Sequence, residues 1–190
     1  MAQPAINFIS SEDYLATERL ALEKHEYYKG EVFAMSGASF EHNVIEDNIR
    51  GILYGHLKGR PCRSFGSNLR VHIPSNTLYT YPDVLIVCEE PEFLDGEFDT
   101  LLNPAVIIEI LSPSTGNYDR GAKWDLYREI ESLKEYILID STAMHIVQYV
   151  RNNDKTWILS ENKKADAHFT IQAIGLALSL SEVYDGVSFS

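Results

Sequence analysis

Apolar positions along the chain change their period repeatedly, and those changes divide it into helical and extended stretches. Ser10 or Ser11 followed by Glu12 and Asp13 signals a helix start, with Tyr14, Leu15 and Leu22 as a modest apolar stripe. Residues 25–35 then read as a hairpin turning at Lys29-Gly30. Over 39–58, Ile45, Ile49, Ile52 and Leu53 recur at helical spacing, and Gly59-Arg60-Pro61 supplies the stop. Strands are predicted over 62–65, 68–73, 82–87 and 105–111, separated by Pro, Gly, Asn and Asp clusters. A second long helix is predicted over about 119–132, carrying Trp124, Tyr127 and Ile130. Strands over 136–139, 145–151 and 156–160 follow, the last two joined by a turn at 152–155, and a strand near 169–173 and a short helix near 180–184 close the chain. A strand–helix–strand crossover set among hairpins predicts a mixed sheet with helices packed on its faces. With no repeat or linker, the whole of 1–190 reads as one domain.

Composition bounds the partners. A chain of 190 residues with 45% hydrophobic content can bury a sizeable core without a staple. Its cysteines, Cys62 and Cys88, lack metal-type spacing and read as reduced thiols, Cys88 as core filler. The N-terminus shows no basic stretch followed by an apolar run, and no segment is apolar enough to cross a bilayer, so a cytoplasmic location and no membrane partner are expected. A net charge of −12 opposes non-specific attachment to a polyanion, which draws on Lys and Arg.

The most informative segment is Pro104-Ala-Val-Ile-Ile-Glu-Ile-Leu-Ser-Pro113, apolar on both faces and so expected to be a central strand, yet interrupted by Glu109. Burying a carboxylate costs several kcal/mol unless it is paired, binds metal or is protonated. Upstream, Tyr81-Pro82 opens an apolar strand and fixes Asp83 at its entrance. Two carboxylates on neighbouring strands supply hard oxygen ligands for Mg²⁺ or Mn²⁺, and the ion offsets their repulsion. Lys123, on the helix after the turn Ser112-Pro-Ser-Thr-Gly116, is placed to reach back to the strand. There its ammonium would stabilise charge on a phosphoryl group or hold, and help deprotonate, an attacking water.

Pro82-Asp83, Glu109-Ile110-Leu111 within Glu-Ile-Leu-Ser-Pro-Ser-Thr, then Asp119, Lys123 and Tyr127 resemble the PD-(D/E)XK superfamily of restriction-endonuclease-like nucleases, and within it the Uma group. The resemblance extends over Tyr28-Lys-Gly-Glu31-Val-Phe-Ala-Met35-Ser-Gly-Ala-Ser-Phe-Glu-His42-Asn43 and Lys134-Glu-Tyr-Ile-Leu-Ile-Asp140, most of the chain. It departs from the standard pattern at Leu111, where the superfamily lysine normally stands, so the lysine role passes to Lys123 on the migrated-lysine pattern of this group. The resemblance implies an α/β (α+β) restriction-endonuclease-like fold, a mixed central β-sheet flanked by helices, with an N-terminal helix and hairpin additions. It implies Asp83, Glu109 and the Ile110 carbonyl as ligands of Mg²⁺ or Mn²⁺, Lys123 as the catalytic cation, and Glu31 as an extra acid near the metal. The expected activity is metal-dependent hydrolysis of nucleic-acid phosphodiesters, DNA first, giving a 5′-phosphate and a 3′-hydroxyl. The expected partners are DNA in a locally basic cleft and a second copy of the chain in a homodimer.

Blander readings stand beside these. Glu109 and Lys123 form a buried ion pair on the plainest view, with Asp83 capping a turn. Glu31 after a glycine turn is an ordinary exposed acid, and His42 at a helix start is accounted for by capping or core hydrogen bonding. Asp119 reads as a helix-start residue, Trp124 and Tyr127 as core, and Ser112, Ser114 and Thr115 as turn and cap formers without a nucleophile elbow. The acids between Glu89 and Asp99 read as a solvated loop. Lys58, Arg60, Arg63 and Arg70 are the candidate basic patch. The rival functions are a catalytically silent binding or assembly module on the nuclease fold, and a hydrolase of a small phosphoester.

Overall fold

The structure, a computed structural model, describes residues 8–189, so the first seven residues of the N-terminal segment read for targeting lie outside it. Helix α1 spans Ser11–Glu18, begun by Ser10, whose hydroxyl accepts from the Asp13 N–H. It ends before Leu22, which is fully exposed and not part of the apolar stripe. Strands β1 (His25–Tyr28) and β2 (Glu31–Ala34) form the expected hairpin. Lys29 and Gly30 both take positive φ (49° and 92°), the primed turn that matches strand twist. Helix α2 (Phe40–Leu57) is capped by Ser39, which accepts from the His42 N–H, and stops where Gly59 takes φ 78°.

Strands β3 (Arg63–Gly66), β4 (Arg70–Ile73), β5 (Leu78–Thr80), β6 (Val84–Val87), β7 (Thr100–Leu101) and β8 (Val106–Leu111) follow. Strands β5 and β7 were not expected, being two or three residues long, too short to show a period. The expected long helix is two short ones, α3 (Gly116–Arg120) and α4 (Ala122–Tyr127), because Gly121 leaves the helical region at φ −115°, ψ −97°. Then come β9 (Glu135–Asp140), β10 (Ile146–Arg151), β11 (Trp157–Asn162), β12 (His168–Ile171), β13 (Leu176–Ser179) and α5 (Leu180–Val183).

Among the described residues the strands form three sheets: a six-stranded one in the order β11-β10-β9-β8-β6-β3, a five-stranded one in the order β2-β1-β5-β4-β7, and the hairpin β12-β13. In the six-stranded sheet only β8 and β9 run parallel, joined by the α3–α4 crossover that a parallel pair requires. Successive residues of β6 and β8 supply two cores. Val84, Ile86, Ile108 and Ile110 pack with Ile45, Ile49 and Leu53 of α2 and with the C-terminal hairpin. Leu85, Val87, Ile107 and Leu111 pack with Val71, Ile73 and Leu78 of the second sheet and with Tyr127 of α4. Glu109 falls between Ile107 and Leu111, on a strand buried along its whole length.

Cys62 and Cys88 are joined in a disulfide rather than present as free thiols. Arg63 lies opposite Val87 in the antiparallel β3–β6 pair, so the next residues outward face each other with their Cα atoms 3.9 Å apart. The redox argument for a cytoplasmic setting therefore falls away. Among the described residues no helix is long and apolar enough to cross a membrane.

Candidate active site

Strand β8 carries Glu109 into the sheet centre, where it is 4% exposed, and the crossover brings Lys123 back over it. The Lys123 ammonium lies 2.9 Å from Glu109 Oε1, 3.1 Å from Glu26 Oε1 and 3.5 Å from Asp119 Oδ1. The Tyr127 hydroxyl donates to Glu109 Oε1 at 2.7 Å. Asp119, Lys123 and Tyr127 are spaced by four, so despite the break at Gly121 they present one face to the strand. Thr80 on β5 donates to Glu26, fixing that carboxylate against the ammonium.

Asp83 sits just ahead of β6 and is laced to β8 through backbone. The Ile110 N–H donates to Asp83 Oδ2 at 2.7 Å, and the Asp83 N–H points to Glu109 Oε2 at 3.3 Å. His42 Nε2, from the first turn of α2, lies 3.3 Å from Asp83 Oδ2, while its buried Nδ1 has no hydrogen-bond partner. The structure thus brings Asp83, Glu109, Ile110 and Lys123 together. Glu31 is not among them: it is exposed on edge strand β2, and the hairpin acid that reaches Lys123 is Glu26 of β1. Nor does Arg70 belong to a surface patch. It is buried, its guanidinium bound to Thr100, Tyr81 and Asp99.

The electrostatics are those of a negative site under-neutralised by one lysine. Burial, with the charges of Asp83 and Asp119, pushes Glu109 up to about 8 despite the pull of Lys123. Burial would lower Lys123, but Glu109, Glu26 and Asp119 outweigh it and hold the amine well above its usual range. Burial also works against a charged His42, yet Asp83, Glu46 and Asp119 raise it overall. A proton or a cation is what such a cluster lacks.

The donor set fits a hard divalent ion. Asp83 Oδ1 makes no hydrogen bond among the described residues, and the Asp83 side chain is 17% exposed, open to water beside Glu109. Among the described residues no three His, Cys, Asp or Glu side chains already form a metal cluster. Two carboxylates completed by a backbone carbonyl and water suit Mg²⁺, which keeps much of its hydration shell.

Sequence reasoning undervalued Glu26, His42, Asp119 and Tyr127. The four-residue spacing around Lys123 was a usable signal for Asp119 and Tyr127. None marks Glu26, which meets Lys123 only through tertiary folding, whereas His42 stands within the family-like segment and was set aside as a capping or core residue.

Residues 11–181 match the Uma2 family, described as "Putative restriction endonuclease". Two uncharacterized proteins of Synechocystis sp. are similar along nearly their whole length. One is 36% identical over 95% of this chain and 94% of its own, the other 33% identical over 92% and 99%. A crystal structure described as "a putative nuclease belonging to DUF820", from Anabaena variabilis, superposes with a TM-score of 0.74 over 95% of this chain and 99% of that one. At 18% identity that likeness speaks for the fold.

Proposed function

Since the chain belongs to the Uma2 restriction-endonuclease family, we propose that its site hydrolyses nucleic-acid phosphodiester bonds, those of DNA in the first place, with Mg²⁺ or Mn²⁺ held by Asp83, Glu109 and the Ile110 carbonyl. The observation that carries this reading is the unbalanced charge: the carboxylates of Glu26, Glu109 and Asp119 gather within 3.5 Å of a single ammonium, and Asp83 adjoins Glu109 on the other side. The metal would supply Lewis-acid polarisation of the phosphate and acidification of water.

The chain's own residues divide the remaining work. Lys123, held charged by its neighbours, is an electrostatic and positioning group and not a base, which narrows the water-deprotonating role first considered for it. Tyr127 and Lys123 both grip Glu109 Oε1, leaving Oε2 turned toward Asp83. His42 holds Asp83 from the α2 side and is a titratable group able to take up or release a proton beside it. With Asp83→Ala, Mg²⁺-dependent cleavage of single- and double-stranded DNA is expected to vanish while the circular dichroism spectrum stays unchanged. Wild-type protein that cuts neither substrate with Mg²⁺ or Mn²⁺ at low salt would sink the enzymatic reading.

The rival, a silent nuclease-fold binding or assembly module working as a homodimer, draws support from the overall charge of −12 and from the mutual satisfaction of Glu109 and Lys123. Calorimetric titration with Mn²⁺ separates the two readings. The metal reading requires a site that disappears in Glu109→Ala.

A further inference from the structure

Strand β11 ends the six-stranded sheet, with β10 on one side and, among the described residues, no strand on the other. Edge strands usually guard themselves with charge, a bulge or a cover, because their free backbone groups template pairing with another chain. The centre of β11 carries no such guard: Ile158 is 56% exposed and Leu159 52%, two neighbouring apolar side chains left in water. The other edge that exposes apolar residues, β2, is four residues long against six here.

Which backbone groups of β11 are free follows from the ladder. The Asn152 N–H donates to the Thr156 carbonyl, so these two form a hydrogen-bonded pair, and antiparallel alternation makes Val150 with Ile158 and Gln148 with Ser160 pairs of the same kind. Trp157, Leu159 and Glu161 belong to the alternate pairs, and their N–H and C=O groups point away from β10. The edge therefore offers a half-ladder of three residues, with apolar side chains on both faces of the sheet.

We infer that β11 pairs antiparallel with β11 of a second copy of this chain, about a two-fold axis beside Ile158 that continues the sheet across a dimer. Self-complementarity identifies the occupant. With Ile158 opposite Ile158, Trp157 stands opposite Leu159 and exchanges backbone hydrogen bonds with it, twice by symmetry. The Lys155 end of each strand then meets the Glu161 end of the other, so opposite charges flank an apolar centre. On one face Leu159 lies in register with Tyr149, whose ring stacks on Trp124 at 4.2 Å, and Trp157 stands edge-on to Trp124 at 4.8 Å. The second copy's Leu159, set against Trp157, closes that aromatic cluster from outside, and the Ile158 pair covers the other face beside Val150. Between residues 151 and 164, Arg151, Lys155, Lys163 and Lys164 outnumber Asp154 and Glu161, so the acidic excess of the chain lies elsewhere and does not oppose contact at this edge. Three strand spacings, ~14 Å, separate β11 from β8, so the second copy adds no group to the Asp83–Glu109 centre, and the contact holds whether or not that centre hydrolyses DNA. The homodimer expected from the sequence thereby acquires a surface, a symmetry and a register.

The test is sedimentation velocity of the full chain over a dilution series, in which wild type is expected to pass from twice the chain mass of 21.5 kDa to the single mass. Ile158→Lys sets like charges face to face at the axis and should leave a monomer at every concentration. Leu159→Pro removes an outward N–H without touching the ladder to β10 and should do the same, with the circular dichroism spectrum unchanged. Glu161→Lys should raise the dissociation constant about fivefold, through two like-charge contacts of ordinary cross-strand size, and adding Lys155→Glu to the same chain should restore it. Phe33→Lys, on the other exposed edge, should dimerise as wild type. A wild-type chain that is monomeric throughout overturns the interface. So does a dimer that survives both Ile158→Lys and Leu159→Pro, or one that is lost in Phe33→Lys. A dimer lost in Ile158→Lys but not recovered by the exchange of Lys155 and Glu161 charges overturns the register.

Discussion

Lys123 shows how much a single residue can be asked to balance. It is 6% exposed and faces three carboxylates within 3.5 Å, so its removal strands buried negative charge as well as one interaction. Lys123→Met is expected to destabilise the fold by about 3–5 kcal/mol in urea denaturation, with part of that loss recovered when Glu109→Gln is added. In the cleavage assay the same substitution should cost ~10²–10³-fold, the usual effect of deleting a preorganised charge-stabilising donor. A second residue sets a pH limit away from the site. His72 is stacked on Tyr79 with ring centroids 3.8 Å apart, and burial lowers its pKa below 6.5. The unfolded chain then binds the proton more readily than the folded one, so His72 contributes stability above pH 6.5 that is lost as pH falls through its folded value. Thermal midpoints measured down a pH series should therefore fall more steeply below pH 6.5 in wild type than in His72→Gln.

At the scale of elements, legibility followed the length of the pattern. Helix α2 could be read because a serine cap, four apolar turns and a glycine stop agree. Its Ile45, Ile49 and Leu53 are fully buried on the six-stranded sheet, and Ile49→Ala should cost about 2–5 kcal/mol in chemical denaturation, by lost transfer energy and the cavity left behind. Strand β8 was legible for the opposite reason, since one acid in an apolar run marked both the strand and the site. Strands β5 and β7 offered no such run. The continuous helix expected over about 119–132 overlooked Gly121, whose backbone leaves the helical region and splits it. Within the hairpin the acid was assigned to Glu31 after the turn, yet pairing places Tyr28 opposite Glu31 and leaves Glu26 further down β1 to meet the ammonium. Register, not composition, decided between the two.

At the scale of the molecule, the disulfide and the net charge set the conditions of work. Cys62 and Cys88 close a loop across a sequence separation of 26 at the outer end of the β3–β6 pair, opposite the end that carries Asp83. Reduction, or replacement of both by Ser, should lower unfolding stability by about 3 kcal/mol through the freed denatured chain, read as a shift in the urea midpoint between oxidised and reduced samples. Because Gly66 and Asp83 lie at the other end of the pair, cleavage per folded molecule should be retained. The crossover between β8 and β9 has the widest reach. Parallel neighbours cannot be joined without such a segment, and here it also delivers Lys123. Topology and chemistry are thereby written into one stretch of chain. The segment that joins the two parallel strands is also the one that gives Glu109 its counter-charge, so a chain in which β9 has not paired with β8 lacks that ion pair as well.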